Sequence, residues 1–140
     1  MITLDDTSRF LKVLTLDVAW AHTYADMRPG KRDRERRENY RAAALGKLNA
    51  IPTNALWWAF RISVLKAGRP IDVDNIAKTI VDSFCTRQIA LDGSEFTQLG
   101  LYADDTFDHV RVLQVIGNRS TTGDTTRIEI FACINGEAEA

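Results

Sequence analysis

The sequence predicts an α+β fold: one mixed β-sheet of about four strands with two helices packed on one face, in the order β-α-β-α-β-β. Three observations predict it. Leu56, Trp58, Phe60, Ile62 and Val64 alternate with other residues at the period of a strand. Ile76, Ala77, Ile80, Val81 and Phe84 recur at the spacing of an amphipathic helix. Turn-forming residues, among them Pro29-Gly30, Gly68-Arg69-Pro70 and Gly123, separate the periodic segments.

Met1 to Ser8 read as a frayed start. A strand follows over Phe10 to Val18, with Phe10, Leu14, Leu16 and Val18 on one face, Lys12 as the exception, and Leu11, Val13, Thr15 and Asp17 on the other. Asp17 is read as a solvent-facing strand end rather than a ligand. Ala19 to Gly30 is irregular. Its Trp20, His22 and Tyr24 either pack over the sheet edge or stack on bases in a groove.

Asp33 to Asn49 is predicted as a helix with Tyr40, Ala44 and Leu48 facing the core. Arg28 to Lys47 holds eight basic side chains against three acidic ones, a local charge of +5 in a chain whose net charge is −1. Within it Lys31, Arg32, Arg34, Arg36 and Arg37 are candidate phosphate contacts, because a guanidinium forks onto two oxygens. A solvated helix laced with i,i+4 pairs such as Asp33–Arg37 is the competing reading.

Ala55 to Lys66 is the strongest strand, and Trp57 falls on its second face, expected exposed or half-exposed and packed against a partner subunit or a helix rather than stacked on DNA. The exit loop leads into Arg69-Pro70-Ile71-Asp72-Val73-Asp74-Asn75-Ile76-Ala77-Lys78. Asp72 and Asp74 point the same way if the backbone between them is extended. Asp74 reads as the N-cap of a helix running to about Cys85, with Asp74, Lys78 and Asp82 on its polar side. Carboxylates that converge beside an ammonium are the parts needed to hold a divalent cation next to a phosphate. The bland alternative is a helix cap and a surface ion pair. Arg69 is within reach of a phosphate bound there; a plain surface arginine is the other reading.

Thr86 to Ala103 shows little periodicity and suggests a flap. Asp104-Asp105 and Asp108 form a second acidic cluster, just before a strand from Phe107 to Gly117 with Val110, Val112 and Ile116 on one face. His109 reads as structural. Ser120 to Asp124 is predicted as a hairpin turn into the last strand, Thr125 to Ile134, and Gly136 to Ala140 is a polar tail.

The bulk composition is that of a soluble globular protein, with 45% hydrophobic and 26% charged residues in 140. That length reads as one domain. No apolar run approaches a membrane span, and no signal-peptide pattern opens the chain. Two cysteines, two histidines and no C-x-x-C argue against zinc, and Cys85 and Cys133 are expected as buried, reduced thiols in the cytoplasm.

The order D-x-D-N-x-x-K-x-x-x-D, then D-D before a strand, resembles the RusA family of Holliday-junction resolvases. The matching residues are Asp72, Asp74, Asn75, Lys78, Asp82, Asp104 and Asp105. The strict motif covers the middle third of the chain, and the element order fits nearly all of it. Two places differ from the family: Ala19 to Tyr24 replaces a Pro/Ser/Asn-rich segment, and Thr86 to Ala103 is longer than the expected turn. The resemblance implies a homodimeric endodeoxyribonuclease that cuts four-way DNA junctions with Mg²⁺, or Mn²⁺. Asp72, Asp74 and Asp105 would be its metal ligands, Asp104 a substitute or supporting acid, Lys78 catalytic, and Asp82 would orient Lys78. A nuclease with another DNA target, a non-catalytic DNA-binding module of the same fold, and a protein whose basic helix binds an acidic partner are the alternatives.

Overall fold

Among the described residues four strands pair in the order β1-β4-β2-β3, where β1 is Phe10–Val18, β2 Trp57–Lys66, β3 Val110–Arg119 and β4 Thr125–Cys133. The computed structural model describes residues 2–21 and 31–136, with side chains at Lys31, Arg32 and Val73 left aside. β4 runs antiparallel to both β1 and β2, while β2 and β3 are parallel. A parallel pair needs a long crossover, and α2 (Val73–Ser83) and α3 (Thr86–Asp92) supply it. α1 (Lys31–Ala44) joins β1 to β2. The mixed sheet and the element order are those expected.

The final strands do not form a hairpin. β4 leaves β3, passes the end of β2 and inserts between β1 and β2. The turn is tied to the end of β2 instead: Ser120 donates its N–H to the Lys66 carbonyl, and Ala67 donates to the Asp124 carboxylate. Burial explains the order. β2 is buried on both faces along its first half and β4 along nearly its whole length, so both belong in the middle, whereas Leu113 and Ile116 of β3 stand at an exposed edge.

Both longer helices cover one face. Tyr40 and Ala44 of α1, and Ile76, Ala77, Ile80 and Val81 of α2, pack on Leu14, Leu16, Phe60, Ile62, Ile128 and Ile130. Each fully buried Phe, Leu or Ile here contributes about 1.5–3 kcal/mol. α1 stops at Ala44, five residues before the expected end, because Gly46 takes a positive φ of 79°. Leu48 still reaches the core from beyond the helix. Trp20 packs against Tyr40 at 5.9 Å, which favours the packing reading; His22, Tyr24, Arg28 and the Pro29-Gly30 turn lie outside the described residues, as does the tail from 137.

Three facial assignments change. The β1 register shifts between Lys12 and Leu14, so Phe10 and Lys12 both face the back of the sheet while Leu14, Leu16 and Val18 face the helices. Lys12 is therefore no exception; a bulge resets the period at Val13. A second shift beside Arg111 separates Val110, on the helix side, from Val112, on the back. Leu56 precedes β2 and is exposed rather than part of the core.

The back face holds a smaller cluster of Leu4, Phe10, Trp57, Ala59, Phe131 and Cys133. Trp57 is buried rather than exposed or half-exposed: it meets Phe10 edge-on at 5.6 Å and packs within the chain. Arg61 lies over the Phe131 ring and donates to both Glu129 and Asp5, and Lys12 also pairs with Glu129 at 2.8 Å. The Arg61 hydrogen bonds, opposed by burial and aided by Lys12, hold the Glu129 carboxyl at about 2 instead of 4.5. A depressed value stabilises the fold fully above pH 4.5, and that contribution is lost as the pH falls toward about 2. Urea midpoints of the wild type should therefore drop more steeply across this window than those of Glu129→Gln. Parallel curves would contradict the assignment.

The segment from Thr86 to Ala103 is no loose flap. It holds α3 and a short turn of 3₁₀ helix over Thr97–Leu99, with Ile89 and Leu99 buried. Gly93 closes α3 at φ 64°, and Gly100 lies so close to Thr86 that an added Cβ would stand 2.5 Å from its hydroxyl oxygen. Cys85 and Cys133 are buried and not joined in a disulfide. No helix among the described residues is long and apolar enough to cross a membrane.

Candidate active site

α2 starts two residues earlier than its pattern suggests. Asp72, not Asp74, occupies the N-cap, with φ −73° and ψ 126°, and Asp74 lies in the first turn. The two carboxylates are thus not alternate residues of an extended strand. Asp72 makes no side-chain capping hydrogen bond, so its oxygens are not spent on the helix end. Negative charge is favoured at this end by the unpaired N–H groups of the first turn.

Asp74, Lys78 and Asp82 follow one another along α2 at one-turn intervals. The lysine Nζ lies 3.4 Å from Asp82 Oδ2. It also lies 3.7 Å from Asp105 Oδ2, a residue that enters from the segment before β3. Acids from two distant parts of the sequence therefore meet around one ammonium. Asp74, Lys78, Asp82 and Asp105 share the lining of a cavity of about 510 Å³ between α2 and the start of β3. Ala77, Val81, Phe107, Val110 and Leu113 supply its apolar walls. Asp72 lies at the helix end and is not part of that lining.

What holds Asp105 there is Tyr102. Its ring is buried against Phe60 and Trp58, and its hydroxyl donates to the Val81 carbonyl at 2.6 Å. The backbone of Thr86 and Arg87 donates to the carbonyls of Tyr102 and Ala103. The end of α2, which carries Asp82, is thereby stitched to the approach to Asp104-Asp105.

Charge in the site is uneven. Burial pushes the Asp82 carboxyl above the ordinary aspartate range; Lys78 pulls it back and Asp105 pushes it further up. Asp104 lines a neighbouring cavity with Lys78, Asp82 and Asp105; it accepts the Asp105 N–H at 2.9 Å, which lowers its pKa, and approaches Arg87 at 3.5 Å. Arg87 carried no signal in the sequence beyond its charge.

The donor chemistry suits a hard cation, since every candidate ligand is a carboxylate. Among the described residues no three His, Cys, Asp or Glu side chains are grouped so as to hold a metal ion. Mg²⁺ does not demand such a cage; it is commonly held by one or two carboxylates, water and the substrate phosphate. Asp74 and Asp105 line the same cavity.

The basic candidates divide. Arg34 and Arg69 are exposed. Arg36 is buried beside Asp33, and Arg37 forks onto Asp92 through two 2.7 Å bonds. Arg41, fully buried, joins Asp92 and Glu38 and donates to the Ser83 carbonyl. Part of the basic helix thus serves the interior, where Asp92 is drawn in. The side chains of Lys31 and Arg32 lie outside the described residues.

A scan against protein-family models matches none of them, and a search of the curated proteins finds no match.

Proposed function

We propose that this chain is a Mg²⁺-dependent, structure-specific endodeoxyribonuclease that hydrolyses phosphodiesters in four-way DNA junctions, acting as a cytoplasmic homodimer in recombination and repair. The observation that carries the reading is the meeting of Asp105 with Lys78 and Asp82 on the cavity that Asp74 also lines. The order of residues that resembles the RusA family supports it. A two-fold symmetric junction calls for two copies of one site, which is the reason for the dimer.

In this reading Asp74 and Asp105 would hold the metal, with Asp72 at the N-cap of the same helix; Mn²⁺ has the same oxygen preference and could replace Mg²⁺. When bound, the ion supplies Lewis-acid activation of water and of the phosphoryl group. Lys78, whose side chain is 71% exposed, presents its ammonium to the scissile phosphate and stabilises the charge that grows on it. Asp82, only 13% exposed, fixes the direction of that ammonium. Arg69 and Arg34 are free to meet phosphates further along the strands.

The test is cleavage of a labelled four-way junction, a duplex and a flap in Mg²⁺. Preferential junction cutting is expected, and no metal-dependent cutting of any of them would end the reading. Lys78→Ala should slow cleavage by about 100-fold while junction affinity changes by less than about threefold. Equal losses in rate and affinity would make Lys78 a binding residue instead.

A further inference from the structure

We propose that Phe107 is a stacking platform for an unpaired nucleobase beside the phosphate at Lys78, so that the site takes DNA where a base is free of its partner. The inference rests on the nuclease reading above. Phe107 is 84% exposed, more than the other large apolar side chains described as exposed. A single exposed apolar side chain is ordinary; what singles out this ring is its place on the cavity lined by Asp74, Lys78 and Asp105.

The ring is not on a loose tip. Arg111 donates through Nε to the Phe107 carbonyl at 2.9 Å, and its guanidinium lies over the buried Trp57 ring. The N–H groups of His109 and Val110 both bond to the Thr106 carbonyl, and Trp58 of β2 donates to the His109 carbonyl at 2.7 Å. The turn is therefore tied to the sheet on both sides of Phe107.

The surroundings name the occupant. Phe107 lines its cavity together with the charged Asp74, Lys78 and Asp105 and the apolar Ala77, Val81 and Leu113. A ligand that matches both kinds of lining has an anionic group for Lys78 and a flat apolar surface for the ring. One nucleotide unit has both. In duplex DNA the base faces are hidden by their neighbours, and exposing one is cheapest where pairing is already broken. A branch point is such a place, and a Phe–base stack tolerates any base because each has a π face.

The experiment uses junctions carrying 2-aminopurine at each branch-point nucleotide in turn, with wild type, Phe107→Ala and Phe107→Tyr. Fluorescence is read without divalent metal, cleavage with Mg²⁺, and mass by light scattering. Wild type and Phe107→Tyr should alter the fluorescence at one position and cleave at similar rates. Phe107→Ala should lose the fluorescence change and cleave about 10- to 100-fold more slowly, at unchanged mass. Wild-type behaviour of Phe107→Ala would overturn the proposal and leave the nuclease reading intact. So would a lower mass with the fluorescence change retained, which would assign Phe107 to a contact between copies. A wild type that cuts no DNA would overturn both.

Discussion

Asp105→Asn is expected to lower the rate of junction cleavage on the order of 10³-fold, because it removes a ligand charge supplied from the second part of the chain. Asp72→Asn should act in the same direction from the helix end. Junction affinity should hold or rise, since each change removes negative charge facing phosphates. Asp105 lies 3.7 Å from Lys78, so its loss also alters the ammonium. Comparing Asp105→Asn with Lys78→Ala and the double variant separates the two effects: residues that act as a unit give losses far from additive. Undiminished cleavage by Asp105→Asn would remove it from the site.

Asp92→Ala is expected to destabilise the fold by about 3 kcal/mol, measured by urea unfolding, because it strips a partner from buried arginines. Arg41 is fully buried and the Asp92 side chain is 5% exposed, so neither charge can turn to water. Burial by itself pushes the Asp92 carboxyl up, but hydrogen bonds from Arg37, Gln88 and Arg41 bring it down to about 2 from 3.8. Glu38 still reaches Arg41 and softens the loss. The effect should extend to the site, since Arg41 donates to the carbonyls of Ser83 and Asp82 at the end of α2. A loss below about 1 kcal/mol would mean that this buried cluster contributes little.

Much of this was legible in the residues. The alternation of Trp58, Phe60, Ile62 and Val64 and the helical stripe of Ile76, Ile80 and Phe84 report burial directly, and all are buried. The one-turn spacing of Asp74, Lys78 and Asp82 put them along one side of α2, where the Lys78–Asp82 pair forms. What was not legible depends on tertiary context. A bulge at Val13 moves Phe10 to the other face, and no local propensity marks it. The insertion of β4 beside β2 depends on which strands need cover on both faces. Arg37 reads as a solvent-facing charge until Asp92, from α3, arrives to meet it. Tyr102 looked like one residue of an aperiodic connection, yet its hydroxyl on Val81 ties Asp105 to α2. Phe107 stands three residues before β3 begins at Val110, so a strand pattern that starts at Phe107 hides its exposure.

The most direct test of the shared-cation claim is a calorimetric titration of Mn²⁺ into wild type, Asp74→Asn and Asp105→Asn in the presence of uncleavable phosphorothioate junction DNA. Saturable metal binding is expected in the wild-type complex, with a large loss of it in both variants, one altered on α2 and one in the segment before β3. Metal binding that survives both substitutions, or is absent from the wild-type complex, would contradict the claim.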